Sequence, residues 1–239
     1  ITINDGEIRL VASDDGINVS DGSGAGEMGP GMGGGMAPGM RSGGGAAPGA
    51  VAMPGQQVAA YTGSYYLYIN GGLIVVNADG DGLDANGAIV MTGGVVLVDG
   101  PTNSGNGALD YDGGFNISGG LLVGTGSAGM AQAPAGSSSQ NSLLVNFTAT
   151  QPAGALVVIV DSAGENVLTY APSKEYASLV FSSSALQVGE TYTVYTGGSS
   201  SGTAADGLYE DGVYTPGTLY TEVTLTGVVT TYGASGRRR

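Results

Sequence analysis

Three short runs carry carboxylates and carboxamides at a recurring offset around a glycine: Asp15-Gly-Ile-Asn18, Asp81-Gly-Leu-Asp84 and Asn106-Gly-Ala-Leu-Asp110. The middle run begins earlier, at Asp79, and the third continues to Asp112. Stacked one on another, the runs place Asp15 under Asp81 and Asn106, and Asn18 under Asp84 and Asp110. Two carboxylates ~4.8 Å apart repel by ~0.9 kcal/mol in water and by ~3.5 kcal/mol at an effective dielectric of ~20. Such columns oppose folding unless a cation sits among them. Clustered carboxylate, amide and backbone oxygens on glycine-permitted turns are what Ca²⁺ takes. The bland alternative is a set of solvated Asp/Asn/Gly turns, which any β protein uses.

The remaining composition removes most catalytic chemistry. The chain has no His, Cys or Trp, so a Ser-His-Asp or Cys-His nucleophile and a zinc site of nitrogen and sulfur ligands are excluded. Twenty acidic residues against 6 basic ones give a net charge of −14, which excludes nucleic-acid binding by phosphate neutralisation. Cations, neutral sugars and other proteins remain as partners. A β-elimination on an acidic polysaccharide needs a base beside the ion, usually Lys or Arg. The acidic half offers Arg9, with Arg41 in a glycine-rich stretch and Lys174 far along the chain. The expectation is a non-enzyme. Tyrosine, present 13 times, offers an apolar face and a hydroxyl that suit sugars and protein interfaces equally. Tyr61, Tyr65, Tyr209, Tyr214 and Tyr220 are the candidates, whereas Tyr66 and Tyr68 read as strand packing.

Columns of this kind need a scaffold that repeats. Four segments align: Ile3-Asn-Asp-Gly-Glu-Ile-Arg-Leu-Val11, Ile69-Asn-Gly-Gly-Leu-Ile-Val-Val-Asn77, Met91-Thr-Gly-Gly-Val-Val-Leu-Val-Asp99 and Ile117-Ser-Gly-Gly-Leu-Leu-Val-Gly-Thr125. Their landmark glycines, Gly6, Gly72, Gly94 and Gly120, are spaced by 66, 22 and 26 residues. A unit of ~22 residues is one coil of a β-solenoid, and coils must stack at ~4.8 Å. The longer spacings imply an insertion near Pro101 and a larger one at about 22–65. Glycine supplies 47 of 239 residues, a density that disfavours helix interiors. The expected fold is all-β: a parallel β-helix of ~22-residue coils over 1–139, then an antiparallel β-rich region over 140–239. That region forms a small sandwich or a cap, which would cover strand edges otherwise open to other chains.

The large insertion carries Met28, Met32, Met36, Met40 and Met53 among glycine, alanine and proline. Its composition predicts a flexible loop, held by a neighbouring subunit, where soft methionines adapt well, or by its own solenoid. Arg237–Arg239 hold half of the basic charge and read as a cleavage scar, a tag remnant or a docking tail. Ile1 falls inside a strand pattern, which suggests a mature or trimmed chain. No run approaches 18 apolar residues, so no membrane span is expected.

The runs Gly80-Asp-Gly-Leu-Asp-Ala-Asn-Gly87, Asn106-Gly-Ala-Leu-Asp-Tyr-Asp-Gly113 and Gly129-Met-Ala-Gln132 resemble a bacterial extracellular family of carbohydrate-binding β-helix proteins. Leu144-Val-Asn-Phe147 and Tyr192-Thr-Val-Tyr-Thr-Gly197 extend the resemblance over nearly the whole chain. It implies a right-handed parallel β-helix similar to polysaccharide lyases. It also implies Ca²⁺ held through Asp14, Asp15, Asp79, Asp81, Asp84, Asp110 and Asp112, and binding of cellulose-like or acidic plant polysaccharides. Family members generally carry more coils ahead of the point where this chain begins. A first coil that starts within a strand presents an open edge, which a strand of another copy can complete. That contact does not close, so it propagates a filament. The expectation is a non-enzymatic, extracellular, calcium-stabilised surface or matrix protein that assembles head to tail with other copies of itself. A monomeric polysaccharide-binding module is the alternative, and a pectate-lyase-like enzyme a remote third.

Overall fold

The computed structural model describes residues 1–20 and 63–234. The five methionines of the insertion, Arg41, Tyr61 and Arg237–Arg239 lie outside the described residues. Every element among the described residues is a β-strand, and none is a helix long and apolar enough to cross a membrane. The sequence dictates this directly. Short runs rich in Val, Ile and Leu alternate in burial, as in Leu-Ile-Val-Val-Asn-Ala over Leu73–Ala78, and glycine ends each run before a helical turn can close.

The first eleven strands form parallel ladders in three sheets. The first sheet holds β1 (Thr2–Ile3), β4 (Tyr66–Ile69), β7 (Ala88–Met91) and β10 (Gly114–Ile117). The second begins with β2 (Glu7–Ala12), β5 (Leu73–Ala78), β8 (Val95–Asp99) and β11 (Leu121–Gly126). The third holds β3 (Ile17–Val19), β6 (Leu83–Ala85) and β9 (Leu109–Tyr111). The chain visits the sheets in the same order on each pass, and the sequence spacings are the ladder offsets. Glu7 pairs with Leu73, Leu73 with Val95, and Val95 with Leu121, so the four landmark glycines fall into one column. Gly94 shows why they are glycines. Its φ is +87°, and an added Cβ would stand 2.8 Å from the Gly72 carbonyl oxygen of the layer below.

The second sheet does not stop where the repeats stop. Its order continues from β11 through β15 (Tyr176–Ser182) and β12 (Ser142–Gln151) to β20 (Val229–Tyr232), seven strands in all. Antiparallel β15 joins β11 to β12, and β20 lies parallel to β12. The seven-stranded sheet therefore takes strands from both sides of the boundary expected at 139/140. β11 leaves one edge unpaired by its own stack, and the apolar strand Tyr176–Ser182 completes that edge.

This sheet serves two cores. One face turns Val76, Val98, Leu122, Val180 and Leu144 inward among Leu67, Ile69, Ile89, Phe115 and Ile117. The other turns Leu97, Val123, Phe181, Leu179, Leu143 and Val145 towards a second sheet. That six-stranded sheet runs β17 (Thr203–Ala205), β18 (Leu208–Glu210), β14 (Asn166–Tyr170), β13 (Val157–Val160), β16 (Thr191–Ser200) and β19 (Tyr214–Thr224). It is antiparallel throughout and contributes Val157, Ile159, Leu168, Tyr170, Tyr192 and Val194. β15, β12 and β20 thus extend the sheet of the repeats, and the antiparallel sheet packs on its face. Residues 127–140 cover the far end of the first core. Ala135 N–H donates to Phe115 O, and Ser139 and Gln140 N–H to Ile117 O.

Candidate functional site

The third sheet builds the acidic columns. Ile17 pairs with Leu83 and Leu83 with Leu109, so Asn18 stacks on Asp84 and Asp84 on Asp110. Asp15 meets Asp81 through a hydrogen bond, the Asp81 N–H donating to Asp15 Oδ1 at 2.9 Å. The next layer departs from the sequence alignment. Gly107, not Asn106, stands in register, and its N–H donates to Asp81 Oδ1 at 2.6 Å. The extra residue in Asn106-Gly-Ala-Leu-Asp110 shifts Asn106 by one position, where its carbonyl accepts from the Ser127 hydroxyl at 2.9 Å. The two columns are joined by Asn18, whose Nδ2 donates to Asp15 Oδ2 at 3.0 Å and to Asp84 Oδ2.

The electrostatics follow from this crowding. Asp84 is pushed up to about 7, first by burial and then by the charges of Asp15, Asp110 and Asp81. Asp81 rises to about 6 by burial, against the stabilising Gly107 N–H and with Asp110, Asp15 and Asp14 nearby. Asp110 is also raised, by burial and then by Asp112, although Gln132 donates to its Oδ1 at 3.2 Å. Half-buried carboxylates forced towards neutrality gain most from a cation. As the side chains stand, no three acidic groups among the described residues converge closely enough to enclose a metal ion. Asn18 instead brings two N–H donors between Asp15 and Asp84, where positive charge would be most favourable.

The other expected ligands are placed apart. Lys174 Nζ lies 2.7 Å from Asp79 Oδ1 and 2.7 Å from Ala78 O, so Asp79 is already paired with a cation of the chain. Asp14 and Asp112 are exposed at the rim and act on the columns through charge alone. Arg9 is held by Asp206 and Glu7 at 2.8 Å each. Gln132 is a participant that sequence reading missed. Its segment has no strand periodicity, and its contact with Asp110 arises because residues 127–140 lie over β9.

A second polar cluster was also missed. Asn77, Asp99 and Thr125 share one row of the seven-stranded sheet, each five residues past a landmark glycine. Asp99 is only 8% exposed. It accepts from Tyr170 Oη at 2.8 Å, Ser173 N at 2.8 Å, Thr125 Oγ1 at 3.1 Å and the Ser173 hydroxyl. Tyr170 is raised by burial and by Asp99. The sequence signal was the recurring polar residue that closes three of the aligned repeats.

The tyrosines divide. Tyr65 packs against the first core. Tyr220 donates to Asn146 O at 3.1 Å and packs its ring at a tilt of 49° against Phe147, a packing role. Tyr209 and Tyr214 instead line a cleft of about 710 Å³, with Tyr195, Leu121, Glu165 and Asp211. No protein-family model, curated protein or solved structure matches the chain, so the resemblance to carbohydrate-binding β-helix proteins rests on the sequence motifs.

Proposed function

We propose that this chain is a non-enzymatic structural module of the cell exterior, a right-handed parallel β-helix fused to a sandwich, that assembles with copies of itself. One observation carries the reading. Among the described residues β1, β2 and β3 each end their sheets, all on the same side of the stack. Unpaired strand backbone of this kind templates pairing with another chain unless it is blunted or covered. The apolar residues there are left bare: Val11 is 89% exposed and Ile1 56%.

Ca²⁺ would tie the three layers of the third sheet together through Asp15, Asp81, Asp84 and Asp110, whose mutual repulsion it would relieve. Among the described residues the two basic side chains, Arg9 and Lys174, are both engaged in ion pairs, which favours a non-catalytic role. Negative-stain electron microscopy before and after EGTA tests the reading. Fibres that loosen on chelation are expected, and discrete particles at every calcium level would overturn it.

A second reading, polysaccharide binding, is favoured by the cleft of Tyr195, Tyr209 and Tyr214. Aromatic faces beside Glu165 and Asp211 suit a sugar ring and its hydroxyls. Retention on insoluble cellulose or pectate, lost in Tyr209→Ala, is the expected result. Equal retention of the variant would remove the cleft from that role.

A further inference from the structure

We propose that the tyrosine-lined cleft selects a sugar carrying a protonated amine, so that its ligand is an amino sugar rather than a uronate. This rests on the polysaccharide reading of that cleft and fixes the charge of the ligand, which that reading leaves open. The topology makes the opening. β13 pairs with β16 from Thr193 to Thr196, whereas β16 and β19 stay paired out to Ser200 and Tyr214. Beyond Thr196 the two strands run on as a ribbon with no third strand among the described residues. Gly197 and Gly198, at φ +71° and +83°, mark the departure. The chain at the ribbon's tip forms β17 and β18, and β18 comes back to the sheet at a single pair, Leu208 with Tyr170. The rest of β14, Asn166–Thr169, has β13 on one side and the cleft on the other.

The rings around this opening are held in place. Tyr214 Oη donates to Gly197 O and accepts from Gly217 N–H, at 2.9 Å each. These bonds tie the ring across the base of the ribbon, where a Cβ on Gly217 would strike the Thr196 carbonyl. Tyr195 meets Tyr214 edge to face, with ring centroids 6.0 Å apart at 62°. Leu121 of the facing sheet adds an apolar wall, and Tyr209 on β18 a third ring. The volume of about 710 Å³ falls within the ~300–1,000 Å³ of small-molecule sites. Its polar groups are uncommitted. The hydroxyls of Tyr195 and Tyr209 and the carboxylates of Glu165 and Asp211 have no hydrogen-bond or ion-pair partner among the described residues.

Those groups decide the chemistry of the ligand. Aromatic faces take the apolar side of a sugar ring, and free phenolic hydroxyls exchange hydrogen bonds with its hydroxyls. Neither feature tells a charged sugar from a neutral one; the carboxylates do. No Lys or Arg lines the cleft. Arg9 and Lys174, the basic side chains among the described residues, are paired with Asp206, Glu7 and Asp79. A uronate entering the cleft meets two like charges with nothing to offset them, on a chain of net charge −14. An ammonium meets the opposite. Its N–H donors find carboxylate acceptors, and such charge-assisted bonds are roughly twice as strong as neutral ones. The negative faces of the tyrosine rings attract the same cation. An N-acetylated amine keeps the sugar ring and loses the charge, so it separates the two contributions.

Calorimetric titration of the full chain tests this at mildly acidic pH, which keeps the sugar amine protonated. The probes are short β-1,4 oligomers of glucosamine, of N-acetylglucosamine and of glucose, with oligogalacturonate as the anionic counterpart. The glucosamine oligomer should bind about tenfold tighter than the N-acetylated and glucose oligomers, and oligogalacturonate should not bind. Glu165→Gln with Asp211→Asn should erase that preference and leave the weaker neutral binding, whereas Tyr209→Ala should weaken all three. Asp5→Asn with Glu175→Gln, which removes the same charge outside the cleft, should keep the preference. Circular dichroism confirms that each variant keeps the β spectrum. Loss of the preference in that second pair would assign it to overall charge and overturn the amine. Equal binding of the glucosamine and glucose oligomers, still sensitive to Tyr209→Ala, would overturn the amine and leave the sugar reading standing. No binding of any oligomer would overturn both.

Discussion

Replacing Asp99 with alanine should cost this protein roughly 3–4 kcal/mol. The carboxylate lies on β8 in the shared sheet, and its partners Tyr170 and Ser173 belong to the chain that passes through the facing sheet. The substitution strands the Tyr170 hydroxyl and the Ser173 N–H in a site only 8% exposed at Asp99. Each buried donor left unmatched costs about 1–3 kcal/mol. The two hydroxyls in the cluster are less affected. Ser173 Oγ keeps the Asn77 amide donor at 3.0 Å, and Thr125 Oγ1 keeps Val98 O at 3.4 Å. For a chain of this size about 1 kcal/mol moves Tm by about 2–4 °C, so a fall of about 10 °C is expected. Urea unfolding followed by circular dichroism measures the free energy. Pairing Asp99→Ala with Tyr170→Phe in a double-mutant cycle should give a coupling above about 1 kcal/mol. A loss under about 1 kcal/mol, or strict additivity with Tyr170→Phe, would refute the idea that this carboxylate latches the two sheets.

Further outcomes follow from the columns and the landmark glycines. Burial and the neighbouring carboxylates push Asp84 and Asp81 up to about 7 and about 6, above the ~4 of an unfolded carboxylate. Their contribution is thus complete below pH ~4 and is lost as pH rises through 6–7. In EGTA, Tm should fall between pH 5 and 8, and calcium should flatten the fall; a rise over that range would show that the crowding is not real. Asp84→Asn should raise Tm at pH 8 in EGTA and blunt the response to calcium, and an unchanged response would remove Asp84 from the cation site. Gly94→Ala should destabilise by more than ~2 kcal/mol, since positive φ costs about 1–2 kcal/mol and the Cβ also meets Gly72 O at 2.8 Å. Gly164→Ala, at φ +88° with nothing within 4 Å, should show the conformational cost alone; equal losses would mean that the layers are free to part.

The parallel layers were legible in the sequence because one constraint wrote them repeatedly. Gly6, Gly72, Gly94 and Gly120 each need positive φ, and the apolar residues after them alternate between two cores. The acidic columns were legible for the same reason, and they failed at Asn106, where one inserted residue sets Gly107 in register instead. The contact of Asp79 with Lys174 was not legible, because the two are 95 residues apart; nothing local announces a contact of that span. The continuation of one sheet through both halves was hidden too. Periodicity tells that Leu143–Phe147 and Ala177–Phe181 are strands, but not which edge they join.

That shared sheet explains why the sandwich is attached where it is. A stack of parallel strands alone presents its outer face, with Leu97 and Val123, to water, and a short sandwich alone needs a second sheet to close its core. Using β5, β8 and β11 for both purposes buries Leu97 and Val123 to about 1% exposure or less and makes the two cores depend on one another. The polar row of Asn77, Asp99 and Thr125 then decides how the sandwich sits on the stack, because charge-assisted hydrogen bonds are directional where apolar packing is not. A sheet fixed on both faces can yield only at its edges.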